Sequence, residues 1–286
     1  MRLIKYLLIF LSACLIISCG LVKTAYNNAP ALTAWWLDDY FDFTAAQNAK
    51  LKPALQDLHD WHRKNELPHY VALLNEIQSD FSQDKLTADK TCQRIDAIKS
   101  NAHALQVKAI PIIVEMAGTL SDKQLQYFQE KLEKRTEKWK ADWWQENTED
   151  QLNVRLEKSK DFAQKVYGDL SESQINLLKQ SLAQSHANPA ISYAEILRRN
   201  EDAFNILKAL QNPALSVEEK SQLVNAGFER MQKSPNQAYE IYESKITQQS
   251  CETIASLHAT TDAKQKLHAK NWLSDYIAQL NNLHIK

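Results

Sequence analysis

The chain has 286 residues, with 34 Lys and Arg against 35 Asp and Glu and a formal net charge of −1. That balance is no electrostatic footprint for nucleic acid, so no nucleic-acid partner is expected. Only four glycines and seven prolines occur, which excludes Gly-rich phosphate loops, dinucleotide folds and the Gly-x-Ser-x-Gly nucleophile elbow. Low Gly and Pro with abundant Ala, Leu, Gln, Lys and Glu predict an all-α fold, a multi-helix bundle of about ten helices.

The first twenty residues have the layout of a bacterial lipoprotein export signal. Arg2 and Lys5 precede an apolar run, and Ile16-Ile17-Ser18-Cys19-Gly20 closes it. The run is too short for a stable spanning helix, which needs roughly 20 residues. Cys19 would take the diacylglycerol, with cleavage before it. Cys14, in Leu11-Ser12-Ala13-Cys14, competes, but leaves an apolar run at the short end of the roughly 7–15 residues expected. Cys19 is therefore preferred. Gly20, where Asp would favour inner-membrane retention, leans toward the outer membrane. The expected organisation is a cleaved signal over 1–18, a lipidated tether over 19–30 and a single helical periplasmic domain over 31–286. Cleavage lowers the basic count from 34 to 32 against 35 acidic residues, a net charge of −3.

A recurring pattern marks the helix starts. An apolar residue is followed by Ser or Thr and, three residues on, by Gln or Glu: Phe43-Thr44…Gln47, Leu120-Ser121…Gln124, Leu170-Ser171…Gln174 and Leu215-Ser216…Glu219, with Leu86-Thr87…Lys90 as a degenerate copy. This is the capping box, in which the hydroxyl and the Gln or Glu side chain satisfy two free backbone N–H groups. Gly118 and Gly168 stand before two of these boxes, where a left-handed helix end is expected.

In chain order, a helix is predicted from about Ala31 to Phe41, and another from Thr44 to about Glu66 with Pro53 kinking it or shifting its start. Pro68 opens the next. Thr87 starts a helix containing Cys92 and bent near Pro111. The stretch from Ser121 to Gly168 holds no internal Gly or Pro and reads as one long helix of about 70 Å if unbroken, with Asn147-Thr148 the place to break. Further helices are predicted at about 171–186, 190–211, 216–233, 235–259 and 262–283, the last capped by Asp262…Gln265.

Cys92 and Cys251 remain after cleavage. In an oxidising compartment a bridge between them is expected, and closing so long a loop contributes on the order of 4–5 kcal/mol in the chain-entropy model. Two separate buried thiols are the alternative.

Ala25-Tyr26-Asn27-Asn28-Ala29, Trp35-Trp36-Leu37-Asp38-Asp39-Tyr40, Trp61-His62-Arg63 and Glu66-Leu67-Pro68…Tyr70 together resemble a family of helical Gram-negative lipoproteins that share a domain of unknown function. The resemblance is sharpest over 19–75, with a looser echo in Leu170-Ser171…Gln174 and Arg198-Arg199. It implies a helical envelope lipoprotein and no particular activity. The Leu-Ser/Thr-x-x-Gln starts are also similar to those of small helical periplasmic chaperones, a likeness the capping box explains by itself.

Three constellations bear on chemistry. His59, His62, Glu66 and His69 have spacings that a zinc site could use, but lack His-Glu-x-x-His; surface or inter-helix polar contacts are the plainer account, with Trp61 packed inward. Asp38, Asp39 and Asp42 could pair carboxylates for acid–base work, yet no partner element is identifiable. Trp35 and Trp36 are adjacent, as are Trp143 and Trp144, so a helix cannot turn both of a pair inward. With Tyr40 they form the candidate interaction surface, lining a groove for peptide, glycan or lipid. No catalytic residue, metal or cofactor is assigned. The expected role is a non-enzymatic interaction or scaffold protein at the outer membrane, facing the periplasm, with the membrane and an envelope protein as partners. A periplasmic chaperone or foldase and an envelope hydrolase are the alternatives.

Overall fold

The structure, a computed structural model, describes residues 23–145 and 147–284. The signal over 1–18, Cys14, Cys19 and Gly20 lie outside the described residues. Among the described residues there is no strand, and after a helical stretch at 23–27 eleven α-helices follow. They are α1 (Ala29–Phe41), α2 (Ala45–Asn65), α3 (Leu67–Phe81), α4 (Ala88–Ala117), α5 (Asp122–Trp143), α6 (Thr148–Tyr167), α7 (Glu172–Ala183), α8 (Pro189–Leu210), α9 (Val217–Gln232), α10 (Gln237–Ala259) and α11 (Ala263–His284).

The helix starts are built as the sequence predicts. Thr44, Ser121, Ser171 and Ser216 each accept from the backbone N–H three residues on, and Gln47, Gln124, Gln174 and Glu219 reach back to complete the box. α2 and α4 run through Pro53 and Pro111 without ending. Two expectations fail. The long helix over 121–168 is two helices: Trp144 leaves helical geometry, and Asn147 starts α6 by accepting from the Asp150 N–H at 2.8 Å. A good N-cap residue followed by Glu149 and Asp150, whose charges suit the positive helix end, makes a restart there favourable. Gly118 is not left-handed, because the chain leaves α4 through tight turns from Thr119 to Met116 and from Leu120 to Ala117. Gly168 does take positive φ, at 77°, and a Cβ there would stand 3.3 Å from the His268 ring.

The capping glutamines also do something the sequence does not announce. Gln47 and Gln124 are both buried, and their amides meet: Gln124 donates to Gln47 Oε1 at 2.8 Å and to the Asp42 carbonyl at 3.0 Å, while Gln47 donates to Gln124 Oε1 at 3.1 Å and to the Thr119 carbonyl at 2.8 Å. Each glutamine therefore caps its own helix and holds the turn entering the other. Gln174 and Gln265 repeat this arrangement, reaching the Thr260 and Asp169 carbonyls. In all four cases the accepting carbonyl lies two residues before the partner's cap.

This repetition extends to the helices. α1 lies against α2 and α5, and α2 against α4; in the same way α6 lies against α7 and α11, and α7 against α10. A four-helix arrangement thus occurs twice in tandem, each copy locked at one end by a glutamine pair. The core is divided accordingly. Ala34, Leu51, Leu55 and Met116 form the first cluster, and Ala163, Val166, Tyr167, Leu178, Leu257 and Ala269 the other. A third, with Ile110, Val114, Leu210 and Val224, joins α4 to α8 and α9. α4 is the common spine. Its first half carries Cys92, which is bonded to Cys251 of α10 across 159 residues, so the expected bridge ties the two copies together.

Candidate functional site

The residues nearest the expected anchor assemble a polar latch. Tyr26 lies over α2, its hydroxyl 2.9 Å from His62 Nδ1, and His62 Nε2 stands 3.3 Å from the Tyr70 hydroxyl. A neutral imidazole donates through one ring nitrogen and accepts through the other, so His62 satisfies both tyrosines only by splitting the roles. Arg63 donates to Asn27 Oδ1 at 2.8 Å and sits 5.4 Å from the centre of the Tyr26 ring, which also packs on His59 at 4.6 Å between centroids. Burial, aided by His59, pushes the His62 pKa down; burial and Arg63 do the same to His59. Burial pushes the Tyr26 hydroxyl up. The motifs Tyr-Asn-Asn, Trp-His-Arg and Tyr70 are thus one interlocking contact. Tyr26 and Asn27, read as tether, rest on the domain.

From this latch α1 runs out with Ala34 buried and Leu37 packed against the core. Neither Trp35 nor Trp36 turns inward: they are 72% and 48% exposed, and with exposed Leu32 they occupy positions i, i+3 and i+4 of one face. Trp36 leans on Tyr40 at 4.7 Å, and the Tyr40 hydroxyl accepts from Arg135 of α5 at 3.4 Å.

The second pair makes contacts of its own. Trp144 is half-buried against Tyr193, and Trp143 sits on the rim of a cavity with Lys158 Nζ 3.8 Å over its ring. Trp61 departs from expectation: it is half-buried and floors an open groove with Val107 and Lys108, the Lys108 ammonium 5.8 Å over its ring.

The carboxylates and histidines are not brought together. Asp38 accepts from the Phe43 N–H and from Asn48 at the turn, both at 3.1 Å, and Asp39 pairs with Lys131. Asn48 and His62 are at opposite ends of α2, roughly 20 Å apart along the axis. Among the described residues, no group of three or more His, Cys, Asp or Glu is arranged to hold a metal ion, and no helix is long and apolar enough to cross a membrane.

A family of unknown function, DUF6279, matches residues 39–225. The chain belongs to the DUF6279 family. The DUF6279 match begins near the end of α1 and stops within α9, so it takes in both boxes of the first glutamine pair, His62, Arg63 and Tyr70, but neither Tyr26 nor Cys251. No curated protein and no solved structure matches the chain. Inside the DUF6279 span Glu195 is a heavily hydrogen-bonded charge. It is buried and accepts from Arg198, Arg199 and the Ser234 hydroxyl at 2.8–3.0 Å. Burial alone would raise its pKa, but these donors hold it below the usual carboxylate value. Arg198-Arg199 is accordingly a structural clamp.

Proposed function

We propose that the chain is a lipid-anchored, non-enzymatic interaction protein of the Gram-negative envelope, facing the periplasm from the outer membrane and holding a partner polypeptide close to it. The export signal, Cys19 and Gly20 supply the address, and the Cys92–Cys251 bridge suits an oxidising compartment. Two or three acyl chains would make the anchoring effectively stable.

The observation that carries the reading is the exposed Leu32–Trp35–Trp36 face on the first helix after the anchor. Exposed clusters of large apolar side chains mark contact surfaces, and tryptophan is enriched among residues that dominate binding energy. The latch fixes where that face sits. The stretch from Cys19 to Tyr26 can reach about 25 Å at most, so α1 stays beside the bilayer.

A photo-crosslinking residue at position 35, with another at exposed Val217 on α9 as control, tests this in cells. A discrete polypeptide adduct from position 35 only, lost in Trp36→Ala while the protein still fractionates with the outer membrane, is the expected result. Adducts to phospholipid alone would replace the polypeptide partner by the membrane surface. A Cys19→Ala protein that remained lipidated would remove the assigned anchor.

A further inference from the structure

An unassigned cavity of about 660 Å³ lies between the second four-helix copy and the α3–α4 pair. That volume lies within the roughly 300–1,000 Å³ typical of small-molecule sites. Its inner wall is apolar, with Phe81, Leu86, Val166, Leu257 and Leu273. Three of its lining residues, Ile98, Trp143 and Phe162, are among the large apolar side chains left exposed, Ile98 at 55% and Phe162 at 60%. An apolar surface therefore continues from the interior to the rim.

The charges on the lining are unevenly satisfied. Arg94 is paired with Asp80 and Glu76. Arg155 and Lys158, one turn apart on the cavity face of α6, have no such partner: among the described residues, no carboxylate lies within 4.0 Å of either. Arg155 gives one hydrogen bond, to the Leu182 carbonyl at 3.3 Å, out of five N–H donors. Among the described residues, Lys158 rests on the Trp143 ring. Burial pushes the Arg155 pKa down, and no neighbouring carboxylate restores it. Farther along the same face of α6, Phe162, Val166 and Tyr167 are apolar toward the cavity, and the Tyr167 hydroxyl is taken up by His258 at 3.0 Å. From Arg155 to Val166 the helix advances roughly 16 Å.

We infer that this cavity binds a single-chain amphiphile with an anionic head, the carboxylate or phosphate on Arg155 and Lys158 and the acyl chain running inward past Phe162 toward Phe81 and Leu257. A guanidinium fork pairs bidentately with either anion, and the wall beyond offers mainly apolar contact to a chain. The inference is independent of the Trp35–Trp36 face.

The oxidised full chain, loaded with a dansylated fatty acid, tests it by displacement with palmitate, palmitoyl lysophosphatidylglycerol, hexadecanol and hexadecyltrimethylammonium. Both anions should displace the probe at least about tenfold more effectively than the alcohol, a difference of about 1.4 kcal/mol, and the cation least well. The order of the two anions separates a free fatty acid from a phospholipid source. Arg155→Gln with Lys158→Gln should erase the preference for palmitate over hexadecanol, Arg155→Lys should keep most of it, and Ser159→Trp, which puts a bulky ring on the cavity lining, should weaken probe binding. Absence of displaceable binding, equal displacement by all four competitors, or undiminished binding by Ser159→Trp would each overturn the inference. The competitor ranking on the unsubstituted protein decides the matter even if a variant fails to fold.

Discussion

Replacing Gln124 by alanine removes several hydrogen bonds at once from a buried joint. The carboxamide accepts from the Ser121 N–H at 3.0 Å, donates to the Asp42 carbonyl at 3.0 Å and exchanges bonds with Gln47. Leaving a buried polar group without its partner costs roughly 1–3 kcal/mol. With Gln47 deprived of its amide partner and the Ser121 box left one-sided, a loss of about 3 kcal/mol is expected. Urea unfolding of the full chain with its disulfide intact measures it as a lower midpoint. A Gln47→Ala, Gln124→Ala double-mutant cycle should show coupling of about 1 kcal/mol or more, because the first substitution already breaks the shared contact. Gln265→Ala should behave like Gln124→Ala, since Gln174 and Gln265 form the same pair. The Ser216–Glu219 box is the internal control: it has the same sequence pattern and local bonds, but is exposed and reaches no second joint. If Glu219→Ala destabilised as much as Gln124→Ala, or the cycle closed with no coupling, the pairing of glutamines would contribute nothing beyond ordinary capping.

Reducing the Cys92–Cys251 bond, or replacing both cysteines by alanine, should lower stability by on the order of 4–5 kcal/mol in the chain-entropy model; coincident denaturation of oxidised and reduced protein would contradict that. The latch should be pH-dependent. His59 and His62 have folded pKa values below the ordinary 6.5, so the unfolded chain takes up protons first. Their contribution is complete above the unfolded value and is lost as pH falls through the folded pKa values. Urea midpoints at about pH 7.5 and about pH 5.5 should differ less in His59→Gln, His62→Gln than in the unsubstituted chain. Glu195→Ala leaves Arg198 and Arg199 without the buried carboxylate they share and should cost about 3 kcal/mol or more, read by thermal or urea unfolding, with Glu195→Gln milder.

What was legible in the sequence is what depends on near neighbours. Thr44 with Gln47 and Ser121 with Gln124 announce helix starts because both halves of the box lie within one turn. That the two boxes would meet could not be read, because nothing local in Gln47 specifies a partner 77 residues away. Asn147 was visible as a break point, but an otherwise unbroken helical pattern from 121 to 168 gave no sign that α5 and α6 would join different four-helix copies. Adjacent tryptophans fixed only that both could not point inward; Ala34 and Leu37 took the core side, which put Trp35 and Trp36 both outside. The motif string of Tyr26, His62, Arg63 and Tyr70 was recognisable as a set, yet its meaning as a single contact required α2 and α3 to be placed. Arg155 and Lys158 left only a faint mark, a pair of cations three residues apart with Phe162 four further on.

Ala163, Val166, Tyr167, Leu178 and Leu257 belong to the second core and also line the space where that copy meets α3 and α4, so the cavity borders that core. A dry, sealed void of about 660 Å³ would cost on the order of 16 kcal/mol at about 24 cal/mol per Å³, more than the roughly 5–15 kcal/mol by which a domain is stable. The fold is compatible with this space because its rim at Ile98, Trp143 and Phe162 is open. The opening then sets the energetics of occupation. Every methylene that displaces water from the Phe81–Leu257 wall gains about 0.8 kcal/mol, while the Cys92–Cys251 bond, one residue from lining groups Thr91 and Ser250, holds two walls in place before a guest arrives. A preformed apolar wall keeps low the ordering cost that binding would otherwise carry.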